Sequence, residues 1–166
     1  QTALPDSVRY KLSLATTVQE WLEFTLDISS TTPFALADYE DVIFDFQNIM
    51  VDMSSTEGAQ ITPIEGYQSE YLEGTQLKPE WKGFYIGSLD VRLPNKFSKD
   101  TSQVIKVSAN DVIIDGSGVT GQTSVSTETV LSEDDGNLSG WPFGINSIAM
   151  TVVNNHVAGF GISGRV

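Results

Sequence analysis

FDFQNIMVDM, Phe44 to Met53, is the stretch that decides the fold. Apolar residues stand at Phe44 and Phe46 and again at Ile49, Val51 and Met53, so one step is three residues where the others are two. Alternation sends every second side chain of a strand to the same face. A single extra residue at Gln47-Asn48 would let both halves keep facing one core while bending the strand, which is the effect of a β-bulge. The segment reads as a long, bulged, half-buried strand.

The same frame returns twice, as FYIGSLDVRL (Phe84 to Leu93) and FGINSIAMTV (Phe143 to Val152). The extra residue then falls at Gly87-Ser88 and at Asn146-Ser147. A second echo relates IIDGSGVTG (Ile113 to Gly121) to TVVNNHVAG (Thr151 to Gly159): a strand, a tight turn and a returning strand. Trp81 and Trp141 stand just ahead of the second and third long strands. The unit is a repeated β-hairpin, but its starts lie 40 and then 59 residues apart, too irregular for a strict solenoid.

Working outward, period-two alternation recurs at Val8 to Leu14, Leu22 to Ile28, Ile105-Val107, Val112-Ile114 and Phe160-Ile162. Asp115-Gly116-Ser117-Gly118 and Asn154-Asn155 supply residues that accept positive φ at hairpin turns. Leu93-Pro94-Asn95-Lys96 and Asp134-Asp135-Gly136-Asn137 are longer breaks. Only Ile64 to Gly74, with Tyr67 and Tyr71 four apart, offers a short helix. The expected class is all-β, as an antiparallel β-sandwich or an elongated stack of repeated, bulged β-hairpins. The expected organisation is a single module over residues 1–166, or two closely packed β-subdomains of about 1–76 and 77–166, in either case a piece of a longer protein.

Charge narrows the partners. The chain carries 22 acids against 9 bases, a formal charge of −13, which repels phosphate backbones and anionic membranes. Nucleic acid is therefore not an expected partner. Six of the nine bases fall between Lys78 and Lys106, a stretch read as solvated charge on strands and loops. No run approaches the roughly 18 apolar residues of a membrane-spanning helix. Without cysteine, thiol nucleophiles and cysteine-ligated metals are excluded.

The catalytic inventory is thin. His156, the single histidine, follows Asn154-Asn155 at a turn, where no second group would orient it. Carboxylate pairs remain for glycoside chemistry, but with 22 acids some pair always meets the distance. Asp45, Asp52 and Asp90 fit ordinary polar-face alternation. No resident cofactor is expected apart from a calcium ion, for which Ser132 to Asn137 gathers hard oxygen donors, with Asp134, Asp135 and Asn137 as ligands. That reading requires millimolar calcium to raise the melting temperature; identical melts in calcium and chelator would reject it. Tyr67, Tyr71, Trp81 and Trp141 are the candidate ligand-binding rings, since aromatic faces stack on sugars.

These features lead to an expected non-enzymatic structural or adhesive β-repeat module of a larger exported, surface or fibre-like protein, extracellular or at the cell surface. Its expected partners are other modules of the parent chain, a glycan or a surface protein. The alternative is a carbohydrate-binding module, and after that an accessory domain of a glycan-active enzyme. Exposed, coplanar rings would favour sugar binding; buried rings would favour structure.

Overall fold

The computed structural model describes residues 23–30, 32–36, 39–56, 58–94, 104–131, 137–138 and 141–165. The alternating stretch Val8 to Leu14, Trp21, the break at Asn95-Lys96 and the acidic pair Asp134-Asp135 lie outside them. Twelve strands are described: β1 (Thr25–Ser30), β2 (Phe34–Leu36), β3 (Tyr39–Asp52), β4 (Leu72–Glu73), β5 (Gln76–Leu77), β6 (Gly83–Leu93), β7 (Ile105–Asp115), β8 (Gly118–Leu131), β9 (Asn137–Leu138), β10 (Trp141–Pro142), β11 (Gly144–Val153) and β12 (His156–Arg165). Eight form one antiparallel sheet in the order β1-β3-β6-β7-β8-β11-β12, with β2 beside β1 on the same edge of β3. β4-β5 and β9-β10 are two short hairpins. The chain is all-β, as its period-two pattern requires.

Residues directly opposite across a ladder share a face, so the register sorts the side chains. One row reads Phe34, Phe44, Val91, Val107, Val125, Ile148, Ile162 from β2 to β12. The next reads Phe46, Leu89, Ala109, Thr123, Met150, Phe160. Two further rows are Ile28, Ile49, Ile86, Val112 and Leu26, Val51, Phe84, Ile114, Val119. Phe34 is stacked against Phe44 and Phe46, with ring centroids 5.8 and 6.0 Å apart. This face is apolar across the sheet and none of these rows holds a charge. The opposite face carries rows such as Gln47, Ser88, Asn110, Gln122, Thr151 and Asp45, Asp90, Ser108, Ser124, Ala149.

The bulge expected at Gln47-Asn48 takes an unusual form. Asn48 has φ 54° and Asp111 has φ 50°. Both sit level with Gly87, between ladder pairs that resume in the same register on either side. Neighbouring strands each take their extra residue at the same level, so apolar rows stay aligned on both sides of the kink. Gly87 is required there, because a Cβ would meet the Asn48 Cβ at 2.8 Å. The register does shift between β7 and β8, where Asp111 and Val112 face Gly121, and at Ile145/Ser147 on β11, where the sequence placed its third bulge.

The core lies on the polar face, at one end. Ala59, Ile61, Tyr67, Leu77 and Trp81, all from the segment between β3 and β6, bury against Ile113 of β7, with Met50, Leu72 and Tyr85 packed around them. The helix considered for Ile64 to Gly74 is absent. Gly66 (φ 89°) and Gly74 (φ 63°) turn the chain, and Leu72–Glu73 pair with Gln76–Leu77. Tyr67 is buried while Tyr71 is exposed, so their four-residue spacing makes no common face.

Candidate functional site

Asp115 closes the β7-β8 hairpin and ties the covering segment to the sheet. Its Oδ1 accepts the backbone N–H of Ser117 at 2.8 Å, the local bond that makes Asp a turn residue. Its Oδ2 accepts the Trp81 indole N–H at 2.7 Å and the Tyr67 hydroxyl. Burial, followed by the hydrogen bond to Asp115 and its charge, pushes the Tyr67 phenol up to about 12. A buried ring with a polar tip needs a partner, and one carboxylate serves both rings.

The β11-β12 turn locks onto the same place. Asn154 (φ 47°) and Asn155 (φ 67°) form the two-residue turn that a twisted hairpin favours. The Asn154 side chain accepts from Gln68 N at 2.9 Å and donates to Gln68 O at 2.8 Å, while its own N–H donates to Thr120 Oγ1 at 2.9 Å. Asn155 exchanges bonds with Val119: Asn155 N to Val119 O at 2.9 Å, and Val119 N to Asn155 Oδ1 at 2.8 Å. A Cβ on Gly118 would come within 2.3 Å of the Asn155 amide, so the second hairpin can dock only on glycine. The two hairpins that echo each other in sequence are thus packed turn on turn.

Beside this clamp, an open cleft of about 530 Å³ forms where residues 60–62 overhang the kinked row. Asp27, Asn48, Gln60, Thr62 and Asp111 bring polar groups to it, over Met50. Tyr85 Oη donates to Asp111 Oδ1 at 2.9 Å, and burial together with that carboxylate pushes the phenol up to about 12. Elsewhere on the polar face Ser108 Oγ donates to Asp90 at 2.6 Å and Lys106 Nζ sits 2.9 Å from it. Burial would raise the Asp90 carboxyl; the Ser108 bond and the charges of Lys106 and Arg92 outweigh it and hold the group low. Lys82 lies 3.6 Å from Glu23, and Lys78 donates to Glu70 O at 2.9 Å. Lys78, Lys82 and Lys106 thus each meet a local oxygen partner.

The four candidate rings part company. Trp81 is 0% and Tyr67 4% exposed, with no face open to a sugar, whereas Tyr71 is 37% exposed. Trp141 opens β10, opposite Leu138. Of the calcium candidates, Asn137 lies in β9 opposite Pro142, and Asp134 and Asp135 are outside the described residues. Among the described residues no three His, Asp or Glu gather as a metal site. Also among them, no helix is long and apolar enough to cross a membrane. His156 is exposed at the start of β12.

Asp115 was legible only as a turn former. Its second role depends on a covering segment that returns from 34 and 48 residues upstream, and no local pattern announces that. No family model matches the chain, and the searches of curated proteins and of solved structures return no significant match.

Proposed function

We propose that the chain is a non-enzymatic structural β-module of a larger exported or surface protein. The observation that carries this reading is the apolar face that runs from β2 to β12 without a charge in its paired rows. Phe84, Ile114, Val119, Val157, Phe160 and Ile162 on the sheet are 41–65% exposed. Monomeric proteins rarely expose apolar patches larger than a few hundred Å², and the largest, of about 300–600 Å², are often functional. With side chains of 150–250 Å² for the aromatics, these six alone leave on the order of 600 Å² open. A scaffold that stacks or pairs with neighbouring modules uses such a face. Two of the four candidate rings, Tyr67 and Trp81, are part of the core, which supports the same role.

The cleft favours a second reading, the carbohydrate-binding module. Asp27, Asn48, Gln60 and Asp111 offer donors and acceptors suited to sugar hydroxyls, in a volume within the usual range for ligand pockets. A glycan-array screen separates the two. The structural reading expects silence on every glycan. Binding that disappears in Gln60→Ala and Asp111→Asn, with an unchanged melting temperature, would replace it with the second.

A further inference from the structure

β12 is the outermost strand of the large sheet, and among the described residues nothing pairs with its outer edge. It is ten residues long and exposed along nearly all of them. Sheet edges of this kind are ordinarily guarded by lysine, proline, bulges or very short length; β12 is long, has no lysine or proline, and its one bulge, at Ala158, falls near its start and away from Phe160–Ile162. The other edge is divided between β1, of six residues, and β2, of three.

Charge singles out the same edge. All 22 acids lie before Asn137, and the stretch Asn137–Val166 contains none. Two chains of charge −13 repel one another over most of their surface. At β12 that repulsion is weakest, and the strand adds only His156 and Arg165 as basic groups.

We infer that β12 pairs edge to edge with β12 of a second copy of this chain, antiparallel, about a two-fold axis at Gly161. This rests on the structural-module reading and names its partner. An isologous contact requires a patch that complements itself, and β12 meets that condition. Centring on Gly161 sets Phe160 opposite Ile162 of the other copy, and Ile162 opposite its Phe160. Both rows then continue the apolar face across the junction, and aromatic against β-branched is a favourable cross-strand pair. On the other face Gly159 and Ser163 oppose one another, small enough to leave the backbones free to approach. Phe160 is 65% and Ile162 57% exposed in the single chain, so pairing covers surface that folding leaves open.

Sedimentation velocity on the whole chain tests this, with three variants. The expected result is a reversible dimer that dissociates on dilution to roughly micromolar concentration. The double variant Phe160→Lys, Ile162→Lys should be monomeric and should melt where the dilute wild-type chain melts, because both positions are exposed in the single chain. Phe84→Lys changes a half-exposed residue of the same face far from the edge, and should still dimerise. Gly161→Cys should cross-link to its own copy on oxidation: opposed Cα atoms at about 4.5–5.5 Å lie within disulfide reach, and the chain has no other cysteine. A wild-type chain that stays monomeric at about 100 μM overturns the inference, as that is far above any dissociation constant of use. So does a dimer abolished by Phe84→Lys, which would signal face-to-face stacking, or one that Gly161→Cys fails to trap. A monomer would leave the glycan-array result, and the structural reading it tests, untouched.

Discussion

The two ends of the polar-to-apolar contrast are Trp81 and Phe160. Trp81 belongs to the segment folded back on the sheet and is 0% exposed, its indole N–H satisfied by Asp115 at 2.7 Å. Phe160 belongs to the face with the stronger hydrophobic pattern, yet is 65% exposed. Hydrophobicity of a row therefore does not decide where this protein packs. The core forms where a connection is long enough to return and where a partly buried carboxylate, Asp115, can hold it; the rows of Val, Ile and Phe on the other side have no such cover among the described residues. The packed core and the exposed apolar rows lie on opposite faces of one sheet.

Removing the anchor should break the contrast most. Trp81→Ala deletes the largest fully buried side chain and should cost about 3–5 kcal/mol, read as a lower urea midpoint at unchanged slope or as loss of the folded state. Asp115→Ala keeps the apolar contacts but strands the Tyr67 hydroxyl and the Trp81 N–H, for about 2–4 kcal/mol by the same measurement. If it costs nothing, the clamp is not what holds the covering segment.

Alkaline pH probes the same region without a mutation. Tyr67 and Tyr85 have phenols raised to about 12, above the ordinary value of about 10. Between these values the unfolded chain has released protons that the folded chain retains, so stability falls as pH rises. It should be complete below about pH 10 and drain away towards pH 12. Absorbance at 295 nm should show two of the five tyrosines ionising late, together with unfolding. Simple early titration of all five would contradict the buried placement. The smallest effect belongs to the bare face: Phe160→Lys should shift stability by no more than about 0.5 kcal/mol in the monomer, as for other exposed positions.

Much of the sheet was legible because its cause is local. The alternation at Phe44 to Met53, its missed beat at Asn48, and the Asn154-Asn155 turn are written in adjacent residues, and each reappears as strand, left-handed kink and hairpin. The kink's alignment across β3, β6 and β7 was not legible, since it depends on three strands taking their extra residue at one level. Tyr67 and Tyr71 misled for a similar reason. Spacing of four suggests a shared helical face, but Gly66 and Gly74 turn the chain, and the Asp115 carboxylate 48 residues on takes one ring inward. Burial of aromatic residues is decided by what returns to cover them, and that is a property of the topology.

Hydrogen exchange at two protein concentrations tests the separation of faces most directly. The account predicts that amides of β6 and β7 near Tyr85 and Ile113 exchange slowest at either concentration. The β12 amides that face away from β11 should exchange quickly when dilute and slow as concentration rises. Outward β12 amides protected as well as those beside Ile113 in the dilute chain, or a region around Ile113 as open as β12, would contradict it.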